Sequence, residues 1–389
     1  MKAFLPFLFI TSLYGADVST LINKAYENNP TLKKIELQIK SSQYDIQNSD
    51  IYKNPVLSIG ANDINIDDPT NRELEAMQTQ YITLSQEITD SDKLQYKSKI
   101  AQIDKQILQT LLEEKKDQIV KKIYTIAFEI KELNEKIILN TQKLENTIQI
   151  KNYFENNIQN KNAFQKTLNS ELMIDNIKLA IQIDKEKIIQ KYASLSELIN
   201  EQVNEVKGLN EVSASSTIKE HKLLMIQELN IKKAYALKAL ARENESSDFT
   251  LSAGYFQRQK FDDYVNVAIK IPLNIYEKES NNLQKSLKKI DISKAKYAEV
   301  ENTLNKKYQI ELSKNRLSIK SLKYMDRIIA HLEKEKELIS NQNSIDSVLK
   351  TLNIQNQIID KKIKYQSFQK QKSTSNVVLA YLTSSLTKE

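Results

Sequence analysis

Residues 264–271 alternate strictly, with Val265, Val267, Ile269 and Ile271 on one side and Tyr264, Asn266, Ala268 and Lys270 on the other. A period of two predicts a strand with one apolar and one polar face. Upstream, Phe249, Leu251, Ala253 and Tyr255 alternate with Thr250, Ser252, Gly254 and Phe256, and QRQKFDD supplies a polar connection. The segment therefore reads as an antiparallel hairpin with strands at about 248–257 and 263–275. Such a hairpin is barely stable alone.

The pattern recurs earlier in the chain. VLSIGANDINI at 56–66 repeats the LSxG of 251–254, and YITLSQEI at 81–88 repeats the alternation of 264–271. Strands are predicted at about 55–66 and 77–89, and Gly60 and Gly254 fall at equivalent places in two half-chains, which indicates an internal duplication.

The remainder is helical in period. Residues 17–52 carry Leu32, Ile35, Ile39 and Ile46 on one face, with Pro30 near the start. Across 92–152 the apolar register Ile119, Ile123, Ile126, Ile130, Leu133, Ile137, Asn140, Leu144 steps by four and three. That is a heptad, so this helix is expected to supercoil against partners. NNIQNKN at 156–162 breaks it before a return helix at 163–198.

The second half repeats the scheme: helix 218–242, hairpin, helix 278–339, the break SNQNS at 340–344, and a return helix to about 386. The return register is Ile345, Leu349, Leu352, Asn356, Ile359, Ile363. Asn140 and Asn356 stand at seam positions where a polar residue can fix register, with the free use of asparagine throughout the sequence as the plainer and favoured reading. The division predicted is a leader at 1–15, a first repeat at 16–199, a linker at 200–217 holding Gly208 and three serines, and a second repeat at 218–389.

Composition agrees with long, uninterrupted elements, since 389 residues with 4 Gly and 5 Pro lack the turns of ordinary domains. Cysteine is absent, which excludes disulfides, thiolate metal sites and a lipid-modified N-terminal cysteine. The net charge of +7 comes from lysines interspersed with acids, with doublets such as Lys121-Lys122 and Lys361-Lys362 but no long basic run. A solvated helix surface explains this better than nucleic-acid binding. MKAFLPFLFITSLYG resembles a secretory signal peptide, cleaved after Gly15. No later stretch has the roughly 18 apolar residues of a spanning helix, so the exported chain is expected to stay soluble or to enter a membrane as a barrel.

Catalytic chemistry has little to draw on. His221 and His331 lie in different helices without a carboxylate at a diagnostic spacing, which favours surface or packing roles. Glycines at 15, 60, 208 and 254 allow neither a phosphate-binding loop nor a dinucleotide fingerprint. Glu113-Glu114 and Asp67-Asp68 read as solvated acids. No catalytic, cofactor-binding or metal-ligating residue is assigned, and the chain is not expected to be an enzyme.

Helix, two strands, long helix, break and return helix, written twice behind a leader, resemble the TolC family of outer-membrane efflux proteins. NPTLKKIELQIKSSQYDIQ at 29–47 resembles the opening helix of that family, and VNVAIKIPLNIYEKE at 265–279 resembles the strand whose Pro-Leu leads into the long helix. LSQEI at 84–88 and IPLNIYEKE at 271–279 lean toward the heavy-metal cation efflux branch.

The resemblance implies an α+β homotrimer in the outer membrane. Four strands per chain would give a twelve-stranded barrel, continued by an α-helical coiled-coil barrel in the periplasm. It implies a passive channel in a tripartite system with a periplasmic adaptor (membrane fusion) protein and an inner-membrane pump of resistance-nodulation-division or ABC type. Drug efflux or type I protein secretion is the alternative role, and a soluble periplasmic scaffold or adaptor is the alternative of another class. FENNIQNKNAFQ and ISNQNSIDSVL sit where the family has its hairpin tips, so Asn157, Ile158, Asn341 and Gln342 are candidate adaptor-docking residues. The asparagines at 157 and 341 replace a common glycine and are expected in the left-handed conformation. Asp346 and Lys350 mark the candidate periplasmic entrance, with an i, i+4 pair as the plain alternative.

Two further expectations are physical. Open sheet edges are not tolerated in hydrocarbon, so several chains must close one barrel. Leu57, Ile59, Ile82, Leu84, Val265, Val267, Ile269 and Ile271 should then face lipid, and Ser58, Thr83, Glu87, Asn266 and Lys270 the lumen.

Overall fold

A computed structural model of the chain describes residues 16–156, 161–213, 220–341 and 345–386. The predicted leader lies outside them. Seven helices and six strands are found among the described residues: β1 (Ala16–Asp17), α1 (Val18–Asn28), α2 (Pro30–Ser49), β2 (Val56–Asn62), β3 (Thr79–Ile88), α3 (Ser91–Glu155), α4 (Lys161–Ile199), β4 (Val206–Lys207), α5 (Lys222–Glu243), β5 (Phe249–Gln257), β6 (Tyr264–Lys270), α6 (Lys278–Ser340) and α7 (Ile345–Leu382). The elements form two compact units. One gathers the described residues of Met1–Lys34, Leu112–Lys222 and Glu301–Glu389, and the other comprises Ile35–Leu111 and Leu223–Val300. Each sequence half thus contributes to both units, so the compact units are not the two predicted repeats.

The opening helix is divided where its sequence dictates. The Asn29 side-chain oxygen accepts from the Thr31 amide at 2.9 Å and its amide group donates to the Leu198 carbonyl at 2.8 Å. Asn29 is thereby a cap for α2, with Pro30 in the first position, where a missing N–H costs nothing. Around this corner the core of the first unit forms from Val18, Leu21, Ala25 and Leu32, Ile119, Ile123, Ala127 and Ile130 of α3, and Leu195, Ile199 and Val203. Of the predicted α3 register, Ile119, Ile123, Ile130 and Leu133 are buried and Ile126 is half-buried.

Beyond that point the seam shifts. Leu139, Asn146, Thr147 and Ile150 are buried, and the Asn146 amide donates to Asn356 Oδ1 at 3.0 Å. Asn356 is thus a buried seam residue partnered by Asn146, while Asn140 is only half-buried. A second polar tie has Ser367 of α7 donating to Glu132 of α3 at 2.8 Å.

Residues 200–213 pack rather than merely connect. Val203 and Val212 are buried, and β4 pairs in parallel with β1. Gly208 makes this docking possible, because its φ is +63° and a Cβ there would fall 1.7 Å from the Asp17 carboxylate oxygen.

The second unit carries a four-stranded antiparallel sheet of order β2-β3-β5-β6, in which β3 pairs with β5 and so joins the two predicted hairpins. At its base Lys93, the third residue of α3, is buried and donates to Asp248 at 2.8 Å and to the Ser246 carbonyl at 2.6 Å. The last strand ends at Lys270, short of the predicted 275. Pro272 brings no N–H to a ladder, which stops the pairing.

Candidate functional site

The sheet places the predicted strand residues on two chemically distinct faces. Opposed residues in an antiparallel pair share a face. Ile59, Ile82, Tyr255 and Val265 stand in one row, Leu57, Leu84, Ala253 and Val267 in the next but one, and Leu251 lies opposite Ile269 beyond them. These apolar side chains are open, from 43% exposed at Leu251 to 74% at Ile59, with Gln86 half-buried opposite Leu251 on the same face. Apolar surface of this extent is not left to water by a soluble monomer. Seven of the eight predicted lipid-facing residues fall on it, while Ile271 lies one residue beyond β6 and has no row.

The opposite face alternates with it. Ser58, Thr83, Gly254 and Asn266 make one row, and Val56, Ser85, Ser252 and Ala268 another. Glu87, Thr250 and Lys270 lie together nearest the helices, where Lys53 pairs with Glu87 at 2.9 Å. The residues predicted for the lumen therefore share this second face. β2 and β6 each have one paired side, which leaves two open edges among the described residues.

At the far end the two connections are tied together. Glu73 accepts from Lys260 at 2.6 Å and from Gln259 at 3.2 Å, and within the second loop the Arg258 amide donates to Asp263 at 2.7 Å. Tyr255 also donates to Asp263.

Of the candidate tip residues, Asn157, Ile158 and Gln342 lie outside the described residues. Asn341 is exposed, and its N–H donates to the Glu337 carbonyl at 3.3 Å. It thus continues the helical ladder, and the described non-glycine residues with positive φ are Asp63, Asn200, Glu277 and Ser384. The left-handed conformation expected of Asn341 is not found. Asp346 and Lys350 both belong to α7, where Lys350 is exposed and the Asp346 side chain lies outside the description.

A buried polar cluster in the first unit overturns one expectation, since Glu114, read as a solvated acid, is buried. Glu114 is 1% exposed and its Oε1 accepts from Tyr381 at 2.7 Å and from Gln118 at 2.6 Å. The Lys121 ammonium lies 4.0 Å from the centre of the Tyr381 ring, and His221 meets that ring edge-on at 5.1 Å. Burial pushes the His221 imidazole down to about 4, against the opposing pull of Glu114 and Asp117, so it is neutral at ordinary pH. Burial also raises the Tyr381 hydroxyl, helped by Glu114, and lowers the Lys121 ammonium. The cluster is a packing device that ties α7 to α3 and to the segment entering α5. Only its charged residues show in the sequence, and no periodicity brings position 381 to 114.

No protein-family model and no curated protein sequence matches the chain. Solved structures do. The outer-membrane channel MtrE of Neisseria gonorrhoeae, in its open state, superposes with a TM-score of 0.79 at 14% identity, over 96% of this chain and 90% of that one. CusC, solved in a study of its folding and transmembrane channel formation, gives 0.77 at 13% identity over 96% and 95%. The Vibrio cholerae outer-membrane protein VceC gives 0.69 at 12% identity over 92% and 95%. At such identities the likeness establishes the fold, and it does so over nearly the whole length of each chain.

Proposed function

We propose that this chain, which has the fold of the TolC-family outer-membrane channels, is itself a passive channel across the outer membrane, serving a tripartite efflux system without catalysis. One observation carries the proposal: a four-stranded sheet with one exposed, largely apolar face and an edge strand at each end with one side unpaired. In hydrocarbon, free edge groups cost several kcal/mol each, so the edges must meet those of other copies. Two copies would give eight strands, whose interior side chains fill. Three give twelve, and the face carrying Ser58, Thr83, Gly254 and Ala268 then lines a passage.

The long helices are the periplasmic part of this reading. Helix α6 has 63 residues, which at about 1.5 Å per residue is on the order of 90 Å. The twofold recurrence of helix, two strands, long helix and return helix supports the duplication, but Gly60 stands opposite Tyr81 and Gly254 opposite Asn266, so the two glycines do not hold the same register position. The tips around Asn157, Ile158, Asn341 and Gln342 would dock a periplasmic adaptor, Asp346 and Lys350 would lie at the periplasmic entrance, and the inner-membrane pump would choose the cargo.

The test is to extract the protein from outer membranes in detergent, measure its mass and record single-channel conductance in a planar bilayer. A trimer that conducts is expected. A folded monomer or dimer that carries the conductance, or a protein found only in the soluble periplasmic fraction, would overturn the proposal and favour the soluble scaffold.

A further inference from the structure

Three aromatic side chains lie on the face of the sheet that is otherwise small and polar. Gly60, Tyr81, Phe256 and Tyr264 form a single row across all four strands, one on each. The Tyr81 and Phe256 ring centres are 5.5 Å apart, and those of Phe256 and Tyr264 are 4.9 Å apart with planes within 4° of parallel. This separation matches the spacing of neighbouring strands, about 4.7–4.9 Å. Phe256 and Tyr264 therefore stack face to face, while the Tyr81 plane is turned 29° from that of Phe256 and its hydroxyl end lies over Gly60. Gly60 gives Tyr81 its room, since a Cβ there would fall 2.6 Å from the Tyr81 hydroxyl oxygen. Beyond Tyr264 the stack is extended by the Arg258 guanidinium, 5.2 Å from the ring centre and held by its Nε donating to the Asp262 carbonyl at 2.7 Å.

The surroundings are uncharged on the helix side. The next two rows of this face hold only Val, Ser, Thr, Gly, Asn and Ala, and its first charged side chains are Glu87 and Lys270. Six residues of strand separate them from the aromatic row, about 20 Å at 3.3 Å per residue. A hydrated ion passing the row thus meets no charged side chain on that side to replace its water. The stacked rings offer a planar aromatic surface against which a planar solute can stack, and the Arg258 cation stands at the end of the stack with Asp263 beside it.

We infer that Tyr81, Phe256 and Tyr264 form an aromatic collar inside the channel near its loop end, which narrows the passage and retains planar aromatic solutes that are neutral or anionic. The inference rests on the channel reading above, because only barrel closure turns a row on one sheet into a ring of nine side chains from three copies. It bears on cargo: such a collar suits aromatic organic molecules and does nothing for hydrated metal cations, toward which LSQEI and IPLNIYEKE lean. Cross-strand aromatic pairs also stabilise sheets by themselves, so the test must read permeation.

Single-channel current is recorded for the wild type and for the triple variant Tyr81→Leu, Phe256→Leu, Tyr264→Leu, with naphthalene-2-sulfonate as blocker and cyclohexanesulfonate as the saturated control. The wild type is expected to be blocked longer by the aromatic sulfonate. The variant is expected to conduct about twofold more and to lose about tenfold of the blocker's residence time, with no change for the saturated control. Should the triple variant not assemble, Phe256→Cys in this cysteine-free chain serves instead. A water-soluble thiol reagent added to open channels should then cut the current. Unchanged conductance and residence in the triple variant, or a Phe256→Cys channel indifferent to the reagent, overturns the collar while the channel stands. A wild type that forms no channel overturns both.

Discussion

In the sheet Ile59 is 74% and Val267 71% exposed, whereas on α3 Ile123 is 0% and Val120 2% exposed. The same residue types meet opposite fates in one chain. The helical unit buries the α3 stripe and matches buried polar groups with partners, as Asn146 with Asn356 and Glu132 with Ser367, while Leu172, Leu317 and Leu338 stay exposed on its other helices. The sheet keeps small and polar residues and one aromatic row on one face and leaves its apolar face exposed. Water drives the first arrangement through the burial of apolar area. In the second, under the proposed function, hydrocarbon takes the place of water, and the outward face gains nothing from being covered by its own chain.

The largest test of this contrast is a truncation on each side. Ile123→Ala should destabilise the protein by about 2–5 kcal/mol through lost transfer energy and a residual cavity. Val267→Ala should cost well under half as much in detergent denaturation, and equal losses would erase the distinction. A charge sharpens the same point within the sheet. Val267→Arg should cost about 2–4 kcal/mol in refolding into vesicles if the position lies near the midplane, and Asn266→Arg much less. Equal penalties at the two neighbours would mean that the faces do not see different media.

A smaller effect is expected at the helical seam. Asn356→Ala should cost about 1–3 kcal/mol, because it leaves the Asn146 amide buried and unmatched. Replacing both with leucine should recover most of that loss in the same denaturation assay, at the expense of register specificity.

The smallest effect is confined to acid. His221 is held at about 4 in the folded protein against 6.5 unfolded, so its contribution is complete above about 6.5 and is lost as pH falls from there toward about 4. His221→Gln should flatten the stability profile across that window. For Glu132, burial alone would raise the carboxyl, but hydrogen bonds from Lys136 and Ser367 and the lysine charges outweigh it and hold it low. Its contribution is present above the ordinary carboxylate range and fails only as pH drops below it, so the two losses should separate in a pH series.

Several elements were legible because they obey short periods. Alternation assigned every residue of β6 to the correct face, and the heptad found Ile119, Ile123 and Ile130. Pro30 after Asn29 marked a helix start, although the sequence reading ran the helix through it. The extent of strand β6 was misjudged because its alternation of apolar residues continues past Pro272, where the hydrogen bonding does not. The stretch at 200–217 read as a linker because Gly208 and its serines look like punctuation. Gly208 is instead where the backbone comes closest to Asp17.

By itself, then, the sequence determined the kinds of element, their order, the face each strand residue takes and the excess of apolar surface. Those follow from local geometry, since a period of two or of three and a half is fixed by the backbone alone. Tertiary structure decided which residues stand opposite one another: Phe256 between Tyr81 and Tyr264, Asn356 against Asn146, and Tyr381 on Glu114. Opposition depends on register between strands and helices distant in the chain. Register is set by how whole faces fit together, which no single segment encodes.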